Sequence, residues 1–181
     1  MVLKIRKYGD RVLREKSVPV ASVTDELRTL AEDMLSTMHK TGGVGLAAQQ
    51  VGHLERMCVI DIPDGCENDE DASFNAPIQM PLVMFNPQIL SMEGEVKDKE
   101  GCLSFPDVGG IVVRAHRVVF TFVDSSNMPQ TMMASGFLAR AVQHEIDHLD
   151  GVLYIDRMTA VERLSHSGRL SKLSKANGGT R

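Results

Sequence analysis

Gln143-His144-Glu145-Ile146-Asp147-His148-Leu149-Asp150-Gly151 carries the pattern H-E-x-x-H. On an α-helix each residue advances about 100°, so His144 and His148 sit about 40° apart and one turn along. Two imidazoles so arranged can share one metal ion, with Glu145 in reach of a water on it. The surrounding residues favour a helix. Taking Leu138 as zero, Leu149, Val142 and Ile146 fall within about 80° of it. Arg140, Gln143, Asp147 and Asp150 form a separate polar stripe, and the histidines occupy a third sector. Gly136 precedes the segment and Gly151 follows it, as boundary residues do. Residues 137–150 read as a helix with one face in a core and a neighbouring face on a metal.

Working outward, the 181 residues suit one domain, 1–181, with a real core. The chain is 43% hydrophobic and 24% charged, ordinary for a globular protein. With a net charge of −4 the surface as a whole does not advertise nucleic acid, and no DNA partner is expected. No run approaches the roughly 18 apolar residues of a membrane span, and the N-terminal apolar stretch is too short for a signal peptide. Three cysteines, an odd number, argue against a disulfide framework and for a reducing, cytoplasmic setting.

Residues 1–20 read as an extended arm anchored by Val12, Leu13, Val18 and Val20. Leu27, Leu30, Ala31, Met34, Leu35 and Met38 make one amphipathic helical face, capped by Ser22 or Thr24 and stopped at Gly42-Gly43. Gly43 to Gln50 reads as a tight helix-to-strand connection or, alternatively, as a ligand-facing loop. Residues 56–62 form a strand. The stretch 64–80, with Asp64, Glu67, Asp69, Glu70 and Asp71, reads as an exposed, mobile acidic loop. Strands follow at 82–85, ended by Asn86-Pro87, at 89–96, and over the long run 111–123, which turns at Ser125-Ser126-Asn127 into a partner at 130–134. The expected class is α+β, mostly antiparallel strands around the H-E-x-x-H helix with an N-terminal amphipathic helix. Residues 159–181 read as a basic, partly flexible tail whose helical part runs through Val161, Leu164 and Gly168. It serves either as a solubilising terminus or as an electrostatic hook for a polyanion such as RNA.

Between the strands lies Glu100-Gly101-Cys102-Leu103-Ser104. A cysteine there packs in a core or presents a thiolate to a metal. With His144 and His148 it would complete a Cys-His-His set whose fourth position is left to water, as in catalytic sites. G-V-G-L-A-A-Q-Q at 43–50, E-G-C-L-S at 100–104 and Q-H-E-I-D-H at 143–148 resemble, in order, the three motifs of the peptide deformylase family. The resemblance spans roughly residues 4–158. It implies an enzyme that removes the formyl group from the N-terminal formylmethionine of nascent polypeptides. It implies one Fe²⁺, with Zn²⁺, Ni²⁺ or Co²⁺ as substitutes. On this resemblance Cys102, His144 and His148 are metal ligands and Glu145 is the general base and acid. Gln50 and the Leu103 N–H hold the formyl oxygen. Val44, Gly45, Glu100 and Gly101 contact the substrate backbone, Phe137 and Ala141 line the methionine pocket, and Arg114 braces Glu100. Three features depart from the family: Asp10-Arg11-Val12-Leu13-Arg14 lacks the usual proline, the acidic 64–80 loop is an elaboration, and the tail is not a close match to the basic helix through which the family contacts the ribosome. Two rivals remain from the residues alone. An H-E-x-x-H endopeptidase would need Glu162, the one downstream glutamate, at the metal. A non-catalytic metal-binding or ribosome-associated module would need neither Glu145 nor Gln50.

Overall fold

The computed structural model describes residues 1–178. The amphipathic segment folds as α1 (Asp25–Lys40), with the Thr24 hydroxyl accepting from the Leu27 N–H at its start. Its apolar face, including Met34 and Met38, packs with Val59 and Phe85. The chain then forms β1 (Gly45–Ala47), a 3-10 turn (Ala48–Val51) and β2 (Met57–Ile60). With β3 (Leu82–Glu93), β6 (Arg117–Val123) and β7 (Pro129–Ser135) these make a five-stranded antiparallel sheet in the order β1-β2-β3-β6-β7. A two-stranded antiparallel sheet pairs β4 (Val96–Gly101) with β5 (Gly109–Arg114). The helix α3 (Gly136–Leu149) follows, burying Leu138, Val142, Ile146 and Leu149 against Ile60, Met84 and Phe120 of the larger sheet. The architecture is α+β.

Four expectations need correction. The run 111–123 is two strands in different sheets, because the chain crosses over at Ala115-His116. The side chain of Gln143 satisfies that crossing: it accepts from the Ala115 N–H (3.0 Å) and donates to the Ala115 carbonyl (2.9 Å). Asn86-Pro87 does not end a strand. β3 continues through a register shift, with Asn86 at φ 53° and its amide bonded to both backbone groups of Val20 (2.8 Å each).

The acidic stretch 64–80 contains α2 (Asp69–Asn75), and it is pinned to the start of α3. Asp71 accepts from the Ser135 hydroxyl (2.5 Å), and Asn75 bonds both backbone groups of Ser135 (3.0 Å each). Glu67 accepts from the Leu138 N–H (3.1 Å). Ser135 supplies no side-chain cap of its own, so Glu67 satisfies a helix-end donor and opposes the positive end of the helix dipole. Gly136 is required there: its φ is +59°, and a Cβ would lie 2.8 Å from that of Asp71.

The fourth correction concerns the termini. Leu13 is the buried anchor of the arm, whereas Val18 is 60% exposed and bonds through its backbone to Leu54 and Arg56, just ahead of β2. After the short helix α4 (Tyr154–Arg157), the tail folds as α5 (Ala160–Ser165) and α6 (Ser167–Ala176). It docks through Leu170, while Val161 and Leu164 are exposed. The looseness expected at 177–180 falls partly outside the described residues. Among those described, no helix is long and apolar enough to cross a membrane.

Candidate metal centre

The helical repeat of α3 brings the rings of His144 and His148 to 5.0 Å between centroids. Cys102 follows β4, and its Sγ lies 3.2 Å from His148 Nε2. One donor atom from each of Cys102, His144 and His148 falls within 4.8 Å of the others, the only such cluster of three among the described residues.

Carboxylates and guanidinium groups around these donors orient them. Glu100, at the end of β4, accepts from His144 Nδ1 (3.1 Å), from Arg114 through Nε and Nη2 (2.7 and 3.0 Å) and from Arg140 (2.8 Å). With Nδ1 committed to a carboxylate, Nε2 is the nitrogen left for a metal. Asp147 accepts from Arg114 (2.6 Å) and from Arg157 (2.6 and 3.1 Å). The polar stripe of α3 is therefore buried: Arg140, Gln143 and Asp147 bind the helix to the strands and to α4.

The electrostatics follow from burial and neighbours. Burial opposes the charge on Glu100, but bonds from His144 and Arg114 outweigh it and hold the carboxyl down to about 2. Burial also opposes charge on His144, yet bonds to Cys102 and Glu100 lift it to about 10. His148 is pushed well down by burial and by the neighbouring His144, so its imidazole is neutral, the form that ligates. Burial raises Glu145 to about 7, against the pull of His144 and Arg114. That value suits a group that both takes and returns a proton near neutrality. Glu145 Oε2 is buried without a protein partner. The Cys102 sulfur and the two imidazoles are a donor set that fits a single divalent transition ion, with the Glu145 carboxyl beside it.

Gln50 sits in the 3-10 turn, 1% exposed. Its Oε1 accepts from the Ala47 N–H (2.8 Å), which turns the amide NH₂ toward Cys102 Sγ (3.4 Å) and Ser104 Oγ (3.2 Å). A cleft of about 820 Å³ opens over the cluster. Val44, Gly45, Gln50, Glu100, Gly101, Cys102, Leu103, Phe137, Ala141, His144 and Glu145 all line it. His148 is buried beneath, and Arg114 stands behind Glu100. Arg140, Asp147 and Lys7 were not singled out from the sequence. Arg140 and Asp147 lie on the polar stripe, Arg140 one turn before His144 and Asp147 inside the motif itself, the signal that could have found them. Lys7 offered none. Glu162 accepts from the Ile111 N–H (3.3 Å) and is not among the clustered donors, which removes the endopeptidase rival.

A helix-borne H-E-x-x-H joined by one external thiol, with a buried glutamate beside it and an open cleft above, is the arrangement of a metal-dependent hydrolase. The sequence profile described as Polypeptide deformylase matches residues 2–164, and the chain belongs to the peptide deformylase family. A peptide deformylase of Endomicrobium trichonymphae is 41% identical over 174 residues, covering 96% of each chain. Peptide deformylase 2 of Gloeobacter violaceus is 46% identical over 157 residues, 86% of this chain and 79% of the relative. The crystal structure of peptide deformylase from Ehrlichia chaffeensis superposes with a TM-score of 0.85 at 33% identity, covering 97% of both chains. The chain is thus a hydrolase that removes the formyl group from the N-terminal formylmethionine of newly made proteins, and its family is metal-dependent.

Proposed function

We propose that Cys102, His144 and His148 hold one Fe²⁺, which Zn²⁺, Ni²⁺ or Co²⁺ can replace, and that Glu145, Gln50 and Leu103 carry out the deformylation around it. When bound, the ion supplies Lewis acidity, making water more acidic and polarising the formyl group. The thiolate is the softest donor of the set and suits a ferrous ion. Glu145 takes the proton of the attacking water at its carboxylate and later returns it to the leaving amine. The Gln50 amide and the Leu103 N–H donate to the formyl oxygen as it gains negative charge. Val44, Gly45, Glu100 and Gly101 offer backbone groups to the peptide, Phe137 and Ala141 border the methionine side chain, and Arg114 keeps Glu100 charged so that it orients His144.

The observation that carries this reading is a buried Glu145 whose Oε2 has no protein partner, one residue from His144 and facing the same cleft as the Cys-His-His donors. The reaction is cytoplasmic. The exposed bases Arg163, Arg169, Lys172 and Lys175 on α5 and α6 give the tail the charge for a ribosome contact. The test is formate release from formyl-Met-Ala-Ser under anaerobic conditions, with metal content measured on the same sample. The Glu145→Gln variant should keep its metal and lose nearly all turnover. Wild-type turnover in that variant would sink the assignment.

A further inference from the structure

The turn that presents Cys102 and the Leu103 N–H is tied down carbonyl by carbonyl. The Cys102 carbonyl accepts from the Phe105 N–H (2.9 Å), which closes the turn. The Ser104 carbonyl accepts from the Tyr8 N–H (2.9 Å). The Leu103 carbonyl between them accepts from the ammonium of Lys7 (2.6 Å), a partner 96 positions away. One residue earlier, the Arg6 N–H donates to the Gln50 carbonyl (2.7 Å). Three successive residues of the N-terminal arm thus grip both carriers of the oxygen-binding donors. The grips by Arg6 and Tyr8 are backbone bonds that almost any residue would make. The grip by Lys7 depends on its side chain, and it falls on Leu103 itself.

Peptide planes are rigid, so Leu103 has only φ and ψ with which to reorient. The bond to Cys102 O fixes the plane that contains the Leu103 N–H. The bond to Leu103 O fixes the next plane. Held on both sides, Leu103 keeps its N–H in one direction. The Lys7 bond is charge-assisted, so it is among the stronger that a carbonyl can accept. Lys7 also lines the cleft, half-buried, beside the atoms it steadies.

We infer that Lys7 is a positioning residue for deformylation, acting through the Leu103 carbonyl to aim the Leu103 N–H at the formyl oxygen. This rests on the reading of Gln50 and Leu103 as the oxygen-binding pair. Losing such a donor outright costs about 10²–10³ in rate. Loosening one should cost part of that, roughly 10- to 50-fold in kcat. The donor acts on charge that develops in the transition state, so KM should stay within about twofold.

The experiment compares Lys7→Met, Lys7→Arg and Gln50→Ala in the metal-loaded enzyme, measuring kcat and KM on formyl-Met-Ala-Ser, metal content and the thermal midpoint. Lys7→Met should lose kcat with its metal retained, and Lys7→Arg, which keeps the cationic donor, should recover most of it. If Lys7→Met folds poorly, Lys7→Gln, which keeps a shorter neutral donor, should show the same kcat-selective loss. Unchanged kcat in Lys7→Met, a loss confined to KM, or Lys7→Arg no better than Lys7→Met would overturn the assignment. A Gln50→Ala variant with wild-type kcat would overturn the underlying oxygen-binding reading instead.

Discussion

Gly45 offers a way to displace the Glu145 carboxylate without touching its chemistry. A Cβ added at Gly45 would lie 2.8 Å from the Glu145 carboxyl carbon and 3.0 Å from its Cγ. Ordinary carbon–carbon contacts begin near 3.5 Å, so the carboxyl group must retreat by roughly 0.7 Å. The motion is not free, because Glu145 is 4% exposed and packed on α3. A misplacement near 1 Å at a reacting group costs on the order of 10² in rate. Stability should respond differently. The backbone at Gly45 is not left-handed, and replacing a strand glycine with alanine narrows the unfolded ensemble, worth about 0.4–1 kcal/mol where the site is compatible. The strain on Glu145 offsets that gain, so the thermal midpoint should move little. Gly45→Ala is therefore expected to lose about 100-fold in kcat on a formylated tripeptide, with its metal retained and its melting curve near that of the wild type. The assay is continuous formate detection, paired with metal analysis and circular dichroism. A kcat within twofold of wild type would refute the reasoning. So would a variant whose activity falls only in proportion to its folded fraction.

Two further predictions concern the acidic stretch. Glu67→Ala removes the side chain that caps α3 and should cost about 1 kcal/mol in urea denaturation, like other lost N-caps. No change would mean that the cap is redundant with the Ser135 contacts. Asp71→Asn tests pH dependence. Burial opposes the charge on Asp71, but bonds from Ser135 and Asn68, with His116 facing it, hold its pKa below the ordinary value. A depressed carboxylate stabilises the fold fully above its unfolded pKa of about 3.9, and that contribution is lost as pH falls through the folded value. The stability gap between wild type and variant should be largest near pH 7 and shrink below about pH 4. A gap that stays level or widens down to pH 3 would contradict the assignment of that charge.

The sequence by itself determined whatever depends on local repeat. The 3.6-residue period sets His144 beside His148 and Leu138, Val142, Ile146 and Leu149 on one core face, and the same period defines α1. Motif order also singled out Cys102 and Gln50. Tertiary structure alone decided where the intervening polar groups go. Arg140, Gln143 and Asp147 read as a polar stripe, yet each is buried because partners on β4, β5, the Ala115 crossing and α4 meet it there. The run 111–123 looks continuous because both of its halves suit a strand. What splits it is a glutamine 28 positions away, which satisfies the backbone at Ala115. The carboxylates of 64–80 looked solvated because acidic residues usually are. Glu67 and Asp71 instead reach the N-terminal end of α3, 71 and 64 positions away in the chain for their respective bonds. Lys7 shows the same limit: a lone lysine on an arm has no pattern to read, and only the fold brings it to the Leu103 carbonyl. Periodicity reports which face of an element turns inward. It carries no information about which distant backbone group needs a hydrogen bond, and those bonds decided the rest.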